Sequence, residues 1–361
     1  MTRNWELLKL KRPKSLPRRN TSCNSSDPRV SGMSAGIDLY RIPPQERDIH
    51  TPQHNFFPDL LRHAQNVDGG WGYRHGLQST AEPTAWSILA LLAHEGPSEK
   101  AISSACDWLR HAQTDEGAWP TSSGKDPGCW VTALACLALA NAADASNDAI
   151  IRGTRWLCDT WPAEGNLLWR LRQRRRHKSE PLVHQDDSLR GWGWTPHTAS
   201  WVEPTACALI MLQDLSPELR PSLAARRIHL GEQMLYDRAC PGGGWNAGNP
   251  LVYGVAGVPR IGPTAWALLA LRHHPENPTV QEGLNWLELN CQTPGSPTSL
   301  ALAQLCFKVY SRPAKPIETA LYDLYCSNHF LQSIPVLAWA LLSLSDIPRW
   351  LKGSLQPRDS K

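Results

Sequence analysis

The feature that most constrains this chain of 361 residues is that it repeats itself. One apolar segment occurs in six versions: EPTAWSILALL (82–92), CWVTALACLALA (129–140), EPTACALIML (203–212), GPTAWALLAL (262–271), SPTSLALAQLCF (296–307) and SIPVLAWALLSL (333–344). Each is apolar nearly all round, which predicts a helix buried on every side. Proline near the first position suits a helix start, because its missing N–H is one of the unpaired ones there. Glu82 and Glu203 fall at or just before the first turn, where negative charge is favoured.

Amphipathic stretches separate these segments, at about 56–66, 98–113, 147–161, 217–237, 277–291 and 315–327. Their charged residues alternate with apolar ones at helical spacing, so one face of each is solvated. Six buried helices alternating with six amphipathic ones predict a ring of helical hairpins, inner helices parallel to one another and outer helices antiparallel to them. No strand is predicted. The domain reading is an irregular basic arm over 1–50, one ring domain over 51–348 with long loops at 162–202 and 238–262, and a tail over 349–361.

Seventeen tryptophans against four phenylalanines require a reason. Most lie in the loops. Gln65-Asn-Val-Asp-Gly-Gly-Trp71 and Gln113-Thr-Asp-Glu-Gly-Ala-Trp119 follow the same pattern, each with a leucine, Leu61 or Leu109, four residues before the glutamine. Gly-x-Trp permits a tight turn that lays an indole against helix ends. The glutamine amide and the indole N–H can bond to free backbone groups there, which is stapling chemistry.

Composition limits the remaining classes. Apolar runs such as Trp86–Ala93 and Val131–Ala140 fall short of the ~18 residues of a membrane span. The basic N-terminus has no apolar run after it, so no secretory signal is read. Ten cysteines without a CxxC pair suit a reducing cytosol. Charge is uneven: residues 1–20 are net basic, RLRQRRRHK (170–178) holds six cations and no acid, and the rest is net acidic. The two basic segments are candidate contacts for anionic lipid, which would make the protein cytoplasmic and peripheral on a membrane. No nucleic-acid-binding motif accompanies them, so nucleic acid is not expected.

The loops and inner segments resemble the QW repeats of the squalene-hopene cyclase, oxidosqualene cyclase and protein prenyltransferase superfamily. The resemblance spans about residues 55–345, is close in the first two repeats, and decays afterwards. Trp161 replaces the glutamine in the third, where RGWGW (190–194) follows a long insert; the fourth keeps GGGWNAG (242–248); the fifth has Trp286-Leu287 without Gly-x-Trp. The resemblance implies an all-α (α/α)6 toroid with a central apolar cavity, similar to a monodomain class II terpene cyclase.

Class II cyclisation needs a strong acid in a dry cavity and aromatic faces for the travelling cation. The superfamily's Asp-x-Asp-Asp acid motif is missing; the nearest match is His184-Gln185-Asp186-Asp187. Asp186 and Asp187 are therefore candidate acids, alongside Glu82 and Glu203, which open inner helices with the same EPTA sequence. Each also has a structural reading, as balance for nearby arginines or as helix-terminus charge. Candidate substrate contacts are Trp86, Trp130, Trp201, Tyr253, Trp266 and Trp339. The two long loops lie at the inner-helix N-termini, and glycines 242–244, 248, 254 and 257 make the second of them permissive enough for a lid. A zinc site is poorly supported: Asp237-x-x-Cys240 with His273 and His274 has the wrong spacing for a prenyltransferase β subunit. No cofactor motif appears.

The expected activity is protonation-initiated cyclisation of a squalene-like or polyprenyl substrate. The alternatives are a non-catalytic isoprenoid-binding or assembly protein and a zinc-dependent prenyltransferase β-type subunit.

Overall fold

The computed structural model describes residues 56–94, 99–122, 127–142, 147–166, 185–291, 295–313 and 315–352. The chain divides after Thr51, and all described residues belong to the second unit. They form twelve α-helices: α1 (Phe56–His63), α2 (Ala81–Ala93), α3 (Glu99–Ala112), α4 (Val131–Asn141), α5 (Asn147–Asp159), α6 (Val202–Asp214), α7 (Ala224–Asp237), α8 (Ile261–Ala270), α9 (Pro278–Asn290), α10 (Pro297–Val309), α11 (Lys315–Asn328) and α12 (Ile334–Leu344). The even-numbered helices are the six apolar segments.

Those six pack in sequence, α2 on α4, α4 on α6, α6 on α8, α8 on α10 and α10 on α12, and α12 returns to α2. The inner ring is closed. Each of α3, α5, α7, α9 and α11 packs outside the inner helix before it, and α1 packs on α12. Nearly every residue of α2, α4 and α6 is buried, as their all-round apolarity requires. Alanines let these inner helices approach one another closely, while the outer ones keep a solvated face.

The loops hold the hairpins together through one recurring bond set. The N–H of the Trp71 indole donates to the Leu61 carbonyl at 2.8 Å, and that of Trp119 to Leu109 at 2.8 Å. Gln65 Nε2 donates to Gly69 O within its loop and to Ala101 O on the next outer helix; Gln113 does the same to Gly117 and Ala149. Each staple thus closes a helix end and ties one hairpin to the next. A threonine in the first turn of four inner helices has a partner role: Thr84, Thr132, Thr205 and Thr264 each accept, on Oγ1, the backbone N–H of Trp71, Trp119, Trp192 and Trp245 at 2.9 Å.

The degenerate third repeat is rebuilt by a cation. Arg227 on α7 reaches back to the carbonyls of Thr160 and Gly191, with its guanidinium 4.2 Å from the Trp161 ring centre and 4.1 Å from that of Trp192. It is fully buried, and burial brings its pKa down to about 10. Sequence spacing offers the glutamine's absence but not this replacement.

Three local expectations are modified. The amphipathic stretch at 217–237 is broken: Pro217–Leu219 is a separate 3-10 turn, Pro221 follows, and α7 starts only at Ala224. Leu251–Val252 and Val255–Ala256 form a minimal antiparallel hairpin where no strand was predicted. Its turn residues Tyr253 (φ 51°) and Gly254 (φ 73°) are both left-handed, the conformation that a two-residue hairpin turn requires. Arg349–Leu351, placed in the tail by sequence, form a 3-10 turn packed on α6 with Trp350 and Leu351 buried. Arg272 Nη2 donates to the Trp350 carbonyl there.

Candidate functional site

The N-terminal ends of the inner helices form the mouth of the ring. Glu82 sits in the first turn of α2, and the phenol of Tyr73, in the preceding loop, donates to its Oε2 at 2.5 Å. A helix N-terminus favours a carboxylate, and so does this bond. Burial outweighs them and raises the Glu82 pKa above the usual carboxylate value. Burial and the Glu82 charge together push the Tyr73 phenol up as well. Glu203, in the first turn of α6, is likewise raised by burial and has no hydrogen-bond partner among the described residues.

Both glutamates belong to the inner face. Trp86 lies one turn beyond Glu82 on α2 and therefore on the same side. Cys207 lies one turn beyond Glu203, is buried, and has its thiol pKa raised by burial and further by the charge of Glu82. Helices α2 and α6 are separated in the ring by α4, so that interaction reaches across the interior.

Below the glutamates three indoles meet. Trp86 of α2 and Trp339 of α12 are 4.1 Å apart between ring centroids; Trp266 of α8 is 5.9 Å from Trp86 and 5.5 Å from Trp339. Helix α8 stands across the ring from α2, so this trio spans the interior at its level. None of the three indole N–H groups has an acceptor among the described residues, unlike the stapling tryptophans.

The other predicted residues lie elsewhere. Trp130 begins α4 at the rim, its backbone N–H donating to Trp194 O and its ring 5.3 Å from that of Trp194, edge to face. Trp201 precedes α6 and forms an isolated bridge with Trp192. Tyr253 is at the hairpin tip and is 73 % exposed. Asp186 and Asp187 occupy a turn beside the end of outer helix α7: the Asp186 N–H donates to Asp237 Oδ2, and Asp187 accepts from Gln185. Asp237 in turn contacts the buried Arg238. His184 and the basic segments 1–20 and 170–178 lie outside the described residues. Sequence reading missed Tyr73, although its place between Trp71 and the EPTA helix was a usable signal. Among the described residues no group of three His, Cys, Asp or Glu is arranged to hold a metal ion. None of the described helices is long and apolar enough to cross a membrane.

The sequence model of the family described as squalene-hopene cyclase C-terminal domain matches residues 45–130. That range holds the first two stapled loops, where the resemblance is closest. Among solved structures, a variant of the type II terpene cyclase MstE from Scytonema in complex with merosterolic acid A is similar with a TM-score of 0.52 at 17 % identity, over 81 % of this chain and 94 % of that one. A further MstE variant, in complex with geranylgeranyl dihydroxybenzoate, gives 0.50 at 16 % identity over 80 % and 76 %. This chain has the terpene cyclase toroid fold. A protein from Actinoplanes is similar to the same degree, with a TM-score of 0.51 at 18 % identity over 80 % of this chain and 96 % of that one. No curated protein matches the sequence. In this toroid the all-α architecture read from the repeats holds: six inner and six outer helices, with mouth-side glutamates and a crossing of indoles inside.

Proposed function

We propose that this protein binds an isoprenoid at the mouth of its toroid and initiates class II-type cyclisation by protonation, with Glu82 or Glu203 as the acid. The observation that carries the reading is the placement of Glu82 and Trp86 on one inner face, a half-buried carboxyl one turn from an indole that meets two others. In the step proposed, the carboxyl O–H gives its proton to one carbon of a terminal alkene. The alkene π pair becomes the new C–H bond, and the adjacent carbon becomes cationic. The indole faces stabilise that charge. Ring closure consumes further π bonds, loss of a proton ends the reaction, and that proton, relayed by water to the carboxylate, restores the acid. The product is an isomer of the substrate.

Burial supports this role because it keeps the glutamates protonated to higher pH than a free carboxylate. The likeness to a cyclase crystallised with geranylgeranyl dihydroxybenzoate supports an isoprenoid with a polar head as the ligand class. Basic segments 1–20 and 170–178 would bring the protein to anionic lipid, where such substrates partition.

A second reading, isoprenoid binding without turnover, is favoured by two observations: the Tyr73 bond stabilises the charged form of Glu82, and the Asp-x-Asp-Asp motif is missing. Incubation with squalene, farnesyl and geranylgeranyl diphosphates and a prenylated aromatic acid separates the two, with products read by gas chromatography–mass spectrometry. An isomer formed by the native protein and lost in Glu82→Gln and Glu203→Gln supports the cyclase. Bound but unchanged substrate supports the carrier.

A further inference from the structure

We propose that Trp266 is the depth stop of the ring, the residue that decides how far an isoprenoid chain can pass the glutamates; this rests on the reading that the ring binds an isoprenoid. Trp86 and Trp339 stand on neighbouring helices and hold each other at 4.1 Å, as part of one wall. Trp266 comes from the far wall and alone makes the contact across. It is also the most exposed of the three, at 9 % against 1 % for Trp86 and 4 % for Trp339.

The trio differs chemically from the stapling tryptophans. Trp71, Trp119, Trp192 and Trp245 each donate their indole N–H to a carbonyl. Trp86, Trp266 and Trp339 leave theirs without an acceptor among the described residues. None of these three nitrogens is among the fully buried polar atoms left without a partner, so each keeps accessible surface for a ligand to meet.

The depth available follows from helix geometry. Glu82 precedes Trp86 by four residues, a rise of about 6 Å along the axis. A chain that reaches the glutamate from the mouth therefore meets the crossing indoles within about one helical turn. Only the end of a chain fits below the acid while Trp266 is in place. Its removal leaves a gap across a ring of rigid, alanine-packed helices, which cannot close it fully, and an apolar gap of that kind accepts apolar ligands.

The test is equilibrium dialysis of the full chain with radiolabelled farnesol, geranylgeraniol and squalene in detergent. Native protein is expected to favour farnesol. Trp266→Ala should shift the squalene-to-farnesol affinity ratio toward squalene by on the order of tenfold or more, and Trp339→Phe, which keeps an aromatic wall, should not. Trp266→Leu serves in place of the alanine variant if circular dichroism shows that variant unfolded. Binding with an unchanged length preference in the Trp266 variants overturns the depth stop and leaves the isoprenoid reading intact. Native protein that binds squalene as tightly as farnesol also overturns it. Failure of every protein to bind any of the three overturns the isoprenoid reading, and the depth stop with it.

Discussion

The phenol of Tyr73 meets Oε2 of Glu82 at 2.5 Å, so one oxygen of that carboxyl is held from the loop side and the other is left for a proton. The bond favours the ionised carboxylate, and burial favours the neutral acid. Removing the phenol leaves burial unopposed. Tyr73→Phe should raise the pKa of Glu82 further. If Glu82 protonates substrate, the activity that native protein loses as pH rises should persist to higher pH in this variant. A pH–rate profile measures it, and an unmoved alkaline limb would separate Tyr73 from the acid.

The raised carboxyls also make stability depend on pH. A carboxyl whose pKa is higher in the folded state binds more protons folded than unfolded between the two pKa values. Stability is then greatest below the ordinary carboxylate pKa and falls as pH rises toward the folded one. Glu82→Gln and Glu203→Gln should each reduce that fall. Urea denaturation followed by circular dichroism across the mildly acidic range measures it. Variants with the same slope as native protein would contradict the burial argument.

The threonines of the inner helices should behave as a class. Thr84→Val and Thr132→Val keep the shape but leave the backbone N–H of Trp71 or Trp119 buried without an acceptor. Each should cost about 1–3 kcal/mol. Thermal or urea unfolding gives the value, and a loss well under half a kcal/mol would show that the hydroxyl is dispensable.

Arg227 should matter more than any single threonine. Arg227→Ala removes two carbonyl contacts and two indole contacts from a fully buried site. The expected loss is about 3 kcal/mol or more. Arg227→Met fills much of the same space without a buried charge and should lose less. Equal losses in the two variants would mean that the guanidinium's own contacts, not the volume it fills, hold the third repeat.

The ring was legible from sequence because each inner helix is apolar all round and four of the six open on Pro-Thr. Local periodicity carries such information, and it placed all twelve helices. Glu82 and Trp86 were legible for the same reason, being four apart on one helix. The meeting of Trp86, Trp266 and Trp339 was not, because it depends on the ring closing and on which side chains cross it. Arg227 was hidden because it serves a repeat from the next outer helix. The hairpin at 251–256 is too short to leave a period; only the Tyr253-Gly254 pair marks it. Residues 329–332 form a left-handed turn of four non-glycine residues, and nothing in their composition announces it. There Phe330 turns inward against Phe57 while Leu331 faces solvent.

The packing of α1 on α12 has a consequence for biosynthesis. The sixth hairpin is assembled from the two ends of the described fold, with Phe57 of the first helix stacked on Tyr322 and Phe330 near the last. During translation the aromatic face of α1 must therefore wait, uncovered, for nearly the whole chain to emerge. A ribosome stalled within the final repeat would release a product with two sticky edges, α2 and α10, and an unburied α1. Such a chain is a natural client for chaperones, and its closure would be the latest event in folding.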